Sequence, residues 1–136
     1  MTATSDQPSA RTQRTLISVD AMGGDQGPAI VVAGCSASAL KNPDISFILH
    51  GPAETLEPLV AKRPELKGRC TIRDAQGVVT MDDKPSNVVR NGKGTSMWSA
   101  TESVRDNEAS VAVSCGNTGA LMALSMIRLK KLPGVN

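Results

Sequence analysis

The stretch VAVSCGNTGAL, Val111–Leu121, runs from an apolar triplet through small and polar residues directly into an apolar helical pattern. Val111–Val113 reads as a buried strand and Thr118–Leu129 as the helix that follows it. Ser114, Gly116, Asn117 and Thr118 then occupy the turn between a strand's carboxyl end and a helix N-terminus. Unpaired backbone N–H groups and the helix dipole meet at such a turn, which favours a phosphate or a developing negative charge. A similar turn stands near the front of the chain, in Ile17–Pro28 (ISVDAMGGDQGP). Two of them in one short chain point to a site.

Outward from these turns, strand and helix signals alternate. Residues 1–14 are polar, rich in Ser, Thr and Gln, and read as a disordered tail, leaving 15–136 as the folded part. Leu16–Val19 is the first strand, and Pro28 suits the first position of a helix over Ala29–Leu40 that Asn42–Pro43 ends. Ile45–Leu49 reads as a strand and Ala53–Ala61 as a helix with Leu56, Leu59 and Val60 on one side. Arg69–Arg73 and Val78–Met81 are further strand candidates. The polar run Asp82–Ser96 holds a helical turn at Pro85–Arg90 that Asn91–Gly94 breaks. Met97–Asp106 is helical, capped by Ser96, with Met97, Ala100, Thr101 and Val104 inward. Arg128, Lys130 and Lys131 complement the last helix's C-terminal dipole, and Pro133 and Gly134 stop it. Short apolar strands alternating with helices predict an α/β fold with a largely parallel sheet covered on both faces. In such folds the ligand crevice lies at the strands' carboxyl ends, where both glycine turns fall. Asn136 follows a helix stop directly, as expected of a truncated portion of a larger protein.

Composition narrows the function. The 136 residues carry a formal net charge of +2, with Phe47 and Trp98 as the only aromatics. There is no basic tract with aromatics to stack bases, so nucleic acid is not an expected partner. Cys35, Cys70 and Cys115 are an odd, widely spaced set without a CxxC pair, which suits neither a disulfide framework nor a metal knuckle. No metal site is expected, because HxxH, paired Cys and a regular carboxylate set are all lacking. The N-terminus lacks the apolar region of a signal peptide and no stretch approaches a membrane span, so the chain reads as cytosolic.

The candidate residues cluster in three segments. Asp20 and Asp25 flank Gly23 and Gly24, a pattern that serves close ligand approach with a carboxylate orienting a proton or substrate group. Turn-capping accounts for the same carboxylates equally well. Asn117 and Thr118 are able to cap the last helix, while Gly116 and Gly119 leave room for a bulky anion and Ser114 offers a hydroxyl. Arg90 and Lys93 lie in the polar loop, either as a solvated face or as positive charge for an acidic substrate, with Asp82 and Asp83 placed to hold them. His50 reads as an incidental strand-end residue and Cys115 as a small buried thiol, although a base and a nucleophile are the sharper alternatives. The first turn lacks GxGxxG spacing, which argues against a dinucleotide fingerprint.

Four segments, ISVDAMGGDQGP at Ile17–Pro28, MDDKP at Met81–Pro85, KGTSM at Lys93–Met97 and SCGNTGALM at Ser114–Met122, together resemble the landmarks of the bacterial phosphate acyltransferases of phospholipid synthesis. The resemblance covers essentially all of Leu16–Val135 and matches the N-terminal portion of a longer protein. It implies a Rossmann-like three-layer α/β/α fold, here truncated, and transfer of a fatty acyl group from acyl carrier protein to inorganic phosphate. The acyl phosphate product then serves a membrane glycerol 3-phosphate acyltransferase. Homodimers, no organic cofactor, and peripheral membrane association through a region beyond Asn136 are also implied. Residue by residue, the resemblance points to Asp20, Asp25, Arg90, Lys93 and Asn117 as catalytic. It assigns Gly23, Gly24, Asp83, Ser96, Ser114, Gly116, Thr118 and Gly119 to substrate or phosphate, with Pro85 among the matched positions. Cys115 stands where the family commonly has alanine, and His50–Gly51–Pro52 departs from a common Gly-Asp turn. Asn117→Ala is expected to weaken phosphate use more than folding. Two other readings stay open from the residues alone: a non-catalytic phosphate- or carrier-protein-binding module, and a nicotinamide-dependent dehydrogenase on a related fold.

Overall fold

Short apolar runs bounded by Gly, Pro and Asn become the strands and helices of one parallel sheet. The computed structural model describes residues 15–24, 26–114 and 116–128. The expected tail, Asp25, Cys115, Lys130, Lys131 and the stop signal at Pro133–Gly134 lie outside the described residues. The order is β1 (Thr15–Asp20), α1 (Pro28–Lys41), β2 (Ile45–Gly51), α2 (Ala53–Ala61), a 3-10 turn (Pro64–Leu66), β3 (Cys70–Asp74), α3 (Pro85–Asn91), α4 (Ser96–Arg105), β4 (Val111–Ser114) and α5 (Thr118–Arg128). The four strands are parallel in the order β3-β2-β1-β4. This is the three-layer α/β/α architecture, with a largely parallel sheet, that the strand–helix alternation predicts.

Alternate residues of each strand divide the two faces. Val19, Phe47 and Leu49 point into a core completed by Val32, Cys35 and Ala39 of α1, Leu56 of α2, and Leu66. Fully burying a side chain such as Leu49 or Leu56 contributes roughly 1.5–3 kcal/mol. On the opposite face α4 lies across β1, β2 and β4, and α5 and α3 pack beyond it. Val79, Val88, Met97, Ala120 and Leu124 form this second, smaller core. No helix among the described residues is long and apolar enough to cross a membrane.

Three local expectations are corrected. Val78–Met81 is not a strand: Val79 is buried against the helices while Val78, Thr80 and Met81 are exposed, so the apolar run belongs to a loop with one inward residue. Its neighbour Gly77 makes only an isolated bridge to Thr95. The cap of α4 is Thr95, whose hydroxyl accepts from Trp98 N at 3.2 Å, and Ser96 is the first helical residue. β4 is an edge strand of this sheet rather than a buried one, with Val111 and Val113 45% and 43% exposed. α1 covers β1 and β2 and leaves that flank open, where Ile30, Val31 and Val113 help line a cleft of about 610 Å³.

Candidate functional site

The carboxyl ends of the strands form a polar row. Register pairs Ser114 with Asp20, Asp20 with His50, and His50 with Arg73, so one polar residue from each of β4, β1, β2 and β3 lies side by side. Above this row α4 presents Ser96, Ser99 and Ser103, spaced to fall on a single helix face. Hydrogen bonds join Asp20 to Ser96, His50 to Ser99 and Arg73 to Ser103.

Asp20 is the centre of the row and is only 2% exposed. Its Oδ1 accepts from Ser96 Oγ at 2.5 Å and from Met22 N at 3.1 Å, and its Oδ2 accepts from Ser114 Oγ at 3.0 Å. Three donors on one carboxylate offset much of the cost of burying its charge. Ser114 Oγ in turn accepts from Gly116 N at 3.1 Å, which ties the second glycine turn to the same carboxylate.

The two turns touch. A Cβ on Gly23 would stand 2.6 Å from Ser114 Oγ and 2.9 Å from Gly116 N, and one on Gly116 would stand 3.1 Å from Gly23 Cα. Only glycine lets the backbones approach this closely. Gly24 takes φ 94°, a conformation that glycine adopts without strain. Asp20, Gly23, Gly24, Ser96, Ser114 and Gly116, drawn from three distant segments, therefore converge on one spot.

The other expected site residues do different work. Asn117 caps α5 by accepting from Ala120 N at 3.0 Å, and its Nδ2 donates to Thr80 O at 3.1 Å and Asp83 O at 2.7 Å. Both amide protons are thus committed to the preceding loop. Asp83 turns its carboxylate onto Thr80 N at 2.8 Å and holds neither Arg90 nor Lys93. Gly119 admits Pro85, whose Cγ would lie 3.0 Å from an added Cβ, so that glycine sets the spacing of α3 and α5. Arg90 lies in the last turn of α3 and Lys93 in the loop leading to Ser96, both exposed. Thr118 begins α5 at the turn. Asp25 and Cys115 lie outside the described residues.

His50 is neither incidental nor a solvent-facing base. It is fully buried, with Nε2 2.8 Å from Ser18 Oγ and Nδ1 2.7 Å from Ser99 Oγ. The Ser18 hydroxyl donates to Ala100 O at 2.8 Å, so it accepts from His50 Nε2–H, and Nδ1 accepts from Ser99. Burial first, and Arg73 second, lower its pKa to about 4. Arg73 pairs with Glu108 at 2.6 Å, which holds the Glu108 carboxyl below its ordinary value. Burial pushes the Cys70 thiol up to about 11, which leaves it a poor nucleophile. Among the described residues no cluster of His, Cys, Asp and Glu is arranged to hold a metal ion. The serine stripe of α4 is the element that reading the sequence missed. Its signal was present in the spacing of Ser96, Ser99 and Ser103 against the alternating Ser18 and Asp20 of β1.

Two glycine turns, the start of α5 and a buried carboxylate held by three donors thus meet at the carboxyl end of the sheet. The family described as "Fatty acid synthesis protein" matches residues 15–136. The phosphate acyltransferase of Roseobacter denitrificans is 71% identical over 136 residues, covering 100% of this chain and 38% of the relative. That of Ruegeria sp. (strain TM1040) is 72% identical over 136 residues, 100% of this chain and 36% of its own length. That of Paracoccus denitrificans is 73% identical over 121 residues, 89% of this chain and 33% of the relative. The chain thus spans little more than a third of the curated relatives it matches. With a fold, a double glycine turn and a family match that all run from β1 to the last helix, this chain belongs to the fatty acid synthesis protein family, the bacterial phosphate acyltransferases.

Proposed function

We propose that a polypeptide of the relatives' length carrying this chain transfers a fatty acyl group from the thioester of acyl carrier protein to inorganic phosphate. The single observation that carries this reading is the abutment of the Gly23 and Gly116 turns around Asp20, in a chain of this family. Phosphate sits against the two turns, with the N-terminus of α5 offsetting its charge and Gly119 and Thr118 beside it. Arg90 and Lys93 supply positive charge from the rim. One phosphate oxygen attacks the thioester carbonyl carbon. A C–O bond forms, the C–S bond breaks, and sulfur leaves as the carrier's thiolate and takes a proton from solvent. The product is acyl phosphate.

Asp20 orients phosphate by accepting its remaining P–OH proton, since its other contacts already fix the carboxylate in place. Asp25, in the same turn, assists that orientation. Ser96 and Ser114 hold Asp20, and Asn117 and Asp83 hold the loop that closes the back of the cradle. No cofactor is part of this chemistry. The acyl phosphate is a substrate for a membrane glycerol 3-phosphate acyltransferase, and a homodimer in the cytoplasm that touches the membrane peripherally suits that hand-over.

The test follows long-chain acyl carrier protein by mass spectrometry with and without inorganic phosphate, using the full-length polypeptide. Acyl phosphate should form only when phosphate is present. An intact thioester at saturating phosphate contradicts the proposal.

A further inference from the structure

His50 lies beside Asp20 on the neighbouring strand, yet the reaction makes no use of it. Its ring is a clasp between sheet and helix. Nδ1 is bonded to Ser99 on α4, and Nε2 to Ser18, whose hydroxyl continues to Ala100 O on the same helix. Ser103 Oγ also approaches Nε2, at 3.4 Å. Ser99 stands one turn beyond Ser96, the residue that donates to Asp20 at 2.5 Å. Sliding or lifting α4 by a fraction of a turn breaks that short bond, so whatever fixes α4 along the sheet also fixes Asp20.

We infer that His50 is a positioning residue for Asp20: by clasping Ser99 and Ser18 it sets the height and register of α4, and so keeps the Ser96 hydroxyl on the carboxylate. The inference rests on the proposed reading of Asp20 as the group that orients phosphate. The charged groups around the ring are Asp20 on β1, Arg73 on β3 and Glu108 after α4, while α4 itself presents only the Ser99 and Ser103 hydroxyls. With Nε2–H spent on Ser18, the neutral ring leaves Nδ1 to accept from Ser99. Burial and the nearby Arg73 guanidinium keep it neutral down to about pH 4.

The experiment measures phosphate half-saturation of acyl transfer in the full-length enzyme, for His50→Val in the wild-type background and in a Ser96→Ala background. Acting through Ser96, His50→Val raises half-saturation about tenfold in the first background and leaves it unchanged within twofold in the second. Equal increases in both backgrounds overturn the inference and reduce His50 to general support of the fold. Should His50→Val fail to fold, Ser99→Ala, which removes only the Nδ1 contact, carries the same comparison. If wild-type turnover is independent of phosphate, the proposed function fails by itself. The clasp is then read from amide hydrogen exchange at the start of α4. Faster exchange at Met97–Ala100 in Ser99→Ala, with β1 and β2 unchanged, supports it, and unaltered exchange overturns it.

Discussion

Both oxygens of the Asp20 carboxylate are held by hydroxyls from far along the chain, Ser96 and Ser114, and the consequences can be weighed residue by residue. Ser114→Ala leaves a buried carboxylate oxygen and Gly116 N without their partner, and should cost about 1–3 kcal/mol in a urea titration. Gly23→Ala drives a methyl group into Ser114 Oγ and the Gly116 backbone. It should lower stability by about 1–3 kcal/mol and separate the two turns, which a fall in melting temperature with loss of phosphate saturation will show. Asn117→Ala removes a helix cap and two bonds to loop carbonyls at once. It should cost about 2 kcal/mol of stability by thermal denaturation, and comparing that loss with the change in phosphate use separates the structural from the functional role. Asp20, Gly23, Ser114 and Gly116 were legible in the sequence because a glycine turn after an apolar run is a local signal. The Ser96–Asp20 bond spans 76 positions, and no local pattern reveals it.

Among the elements, α4 departs most from its reading. Of the expected inward set Met97, Ala100 and Thr101 are buried and Val104 is half-buried, but the helix is packed on two sides and also buries Ser96 and Ser103. Periodicity marks one buried face well and two poorly, because polar residues that pair with a polar sheet row resemble a solvated face. Val78–Met81 misled because a short apolar run reads as a strand, whereas only Val79 of this loop is buried. His50 gives the element a measurable pH signature. A ring whose pKa drops from 6.5 in the unfolded chain to about 4 in the fold binds its proton more readily when unfolded. Its contribution is therefore complete above about pH 7, falls as pH drops from 6.5 towards 4, and levels off below that. The loss is roughly 3 kcal/mol. In urea titrations, the advantage of wild type over His50→Val should shrink by about that amount between pH 7 and pH 4. A constant advantage refutes the buried neutral ring.

At the scale of the whole molecule, strand–helix alternation was enough to give the layers and the parallel sheet, since each βα unit announces itself within a few tens of residues. It did not give the position of β4, because strand order depends on which elements meet in space. An edge strand with Val111 and Val113 exposed is a template for self-association. A polypeptide of these 136 residues alone should therefore form concentration-dependent oligomers that Val113→Lys suppresses, as sedimentation velocity will measure. In the proposed function the two glycine turns form one phosphate site organised by Asp20. This is tested most directly by titrating inorganic phosphate against acyl phosphate formation in the full-length enzyme and in its Asp20→Asn variant, with folding followed by circular dichroism. The expected result is a folded variant whose kcat/KM for phosphate is lower by about a hundredfold or more. A folded variant that saturates with phosphate as the wild type does contradicts it.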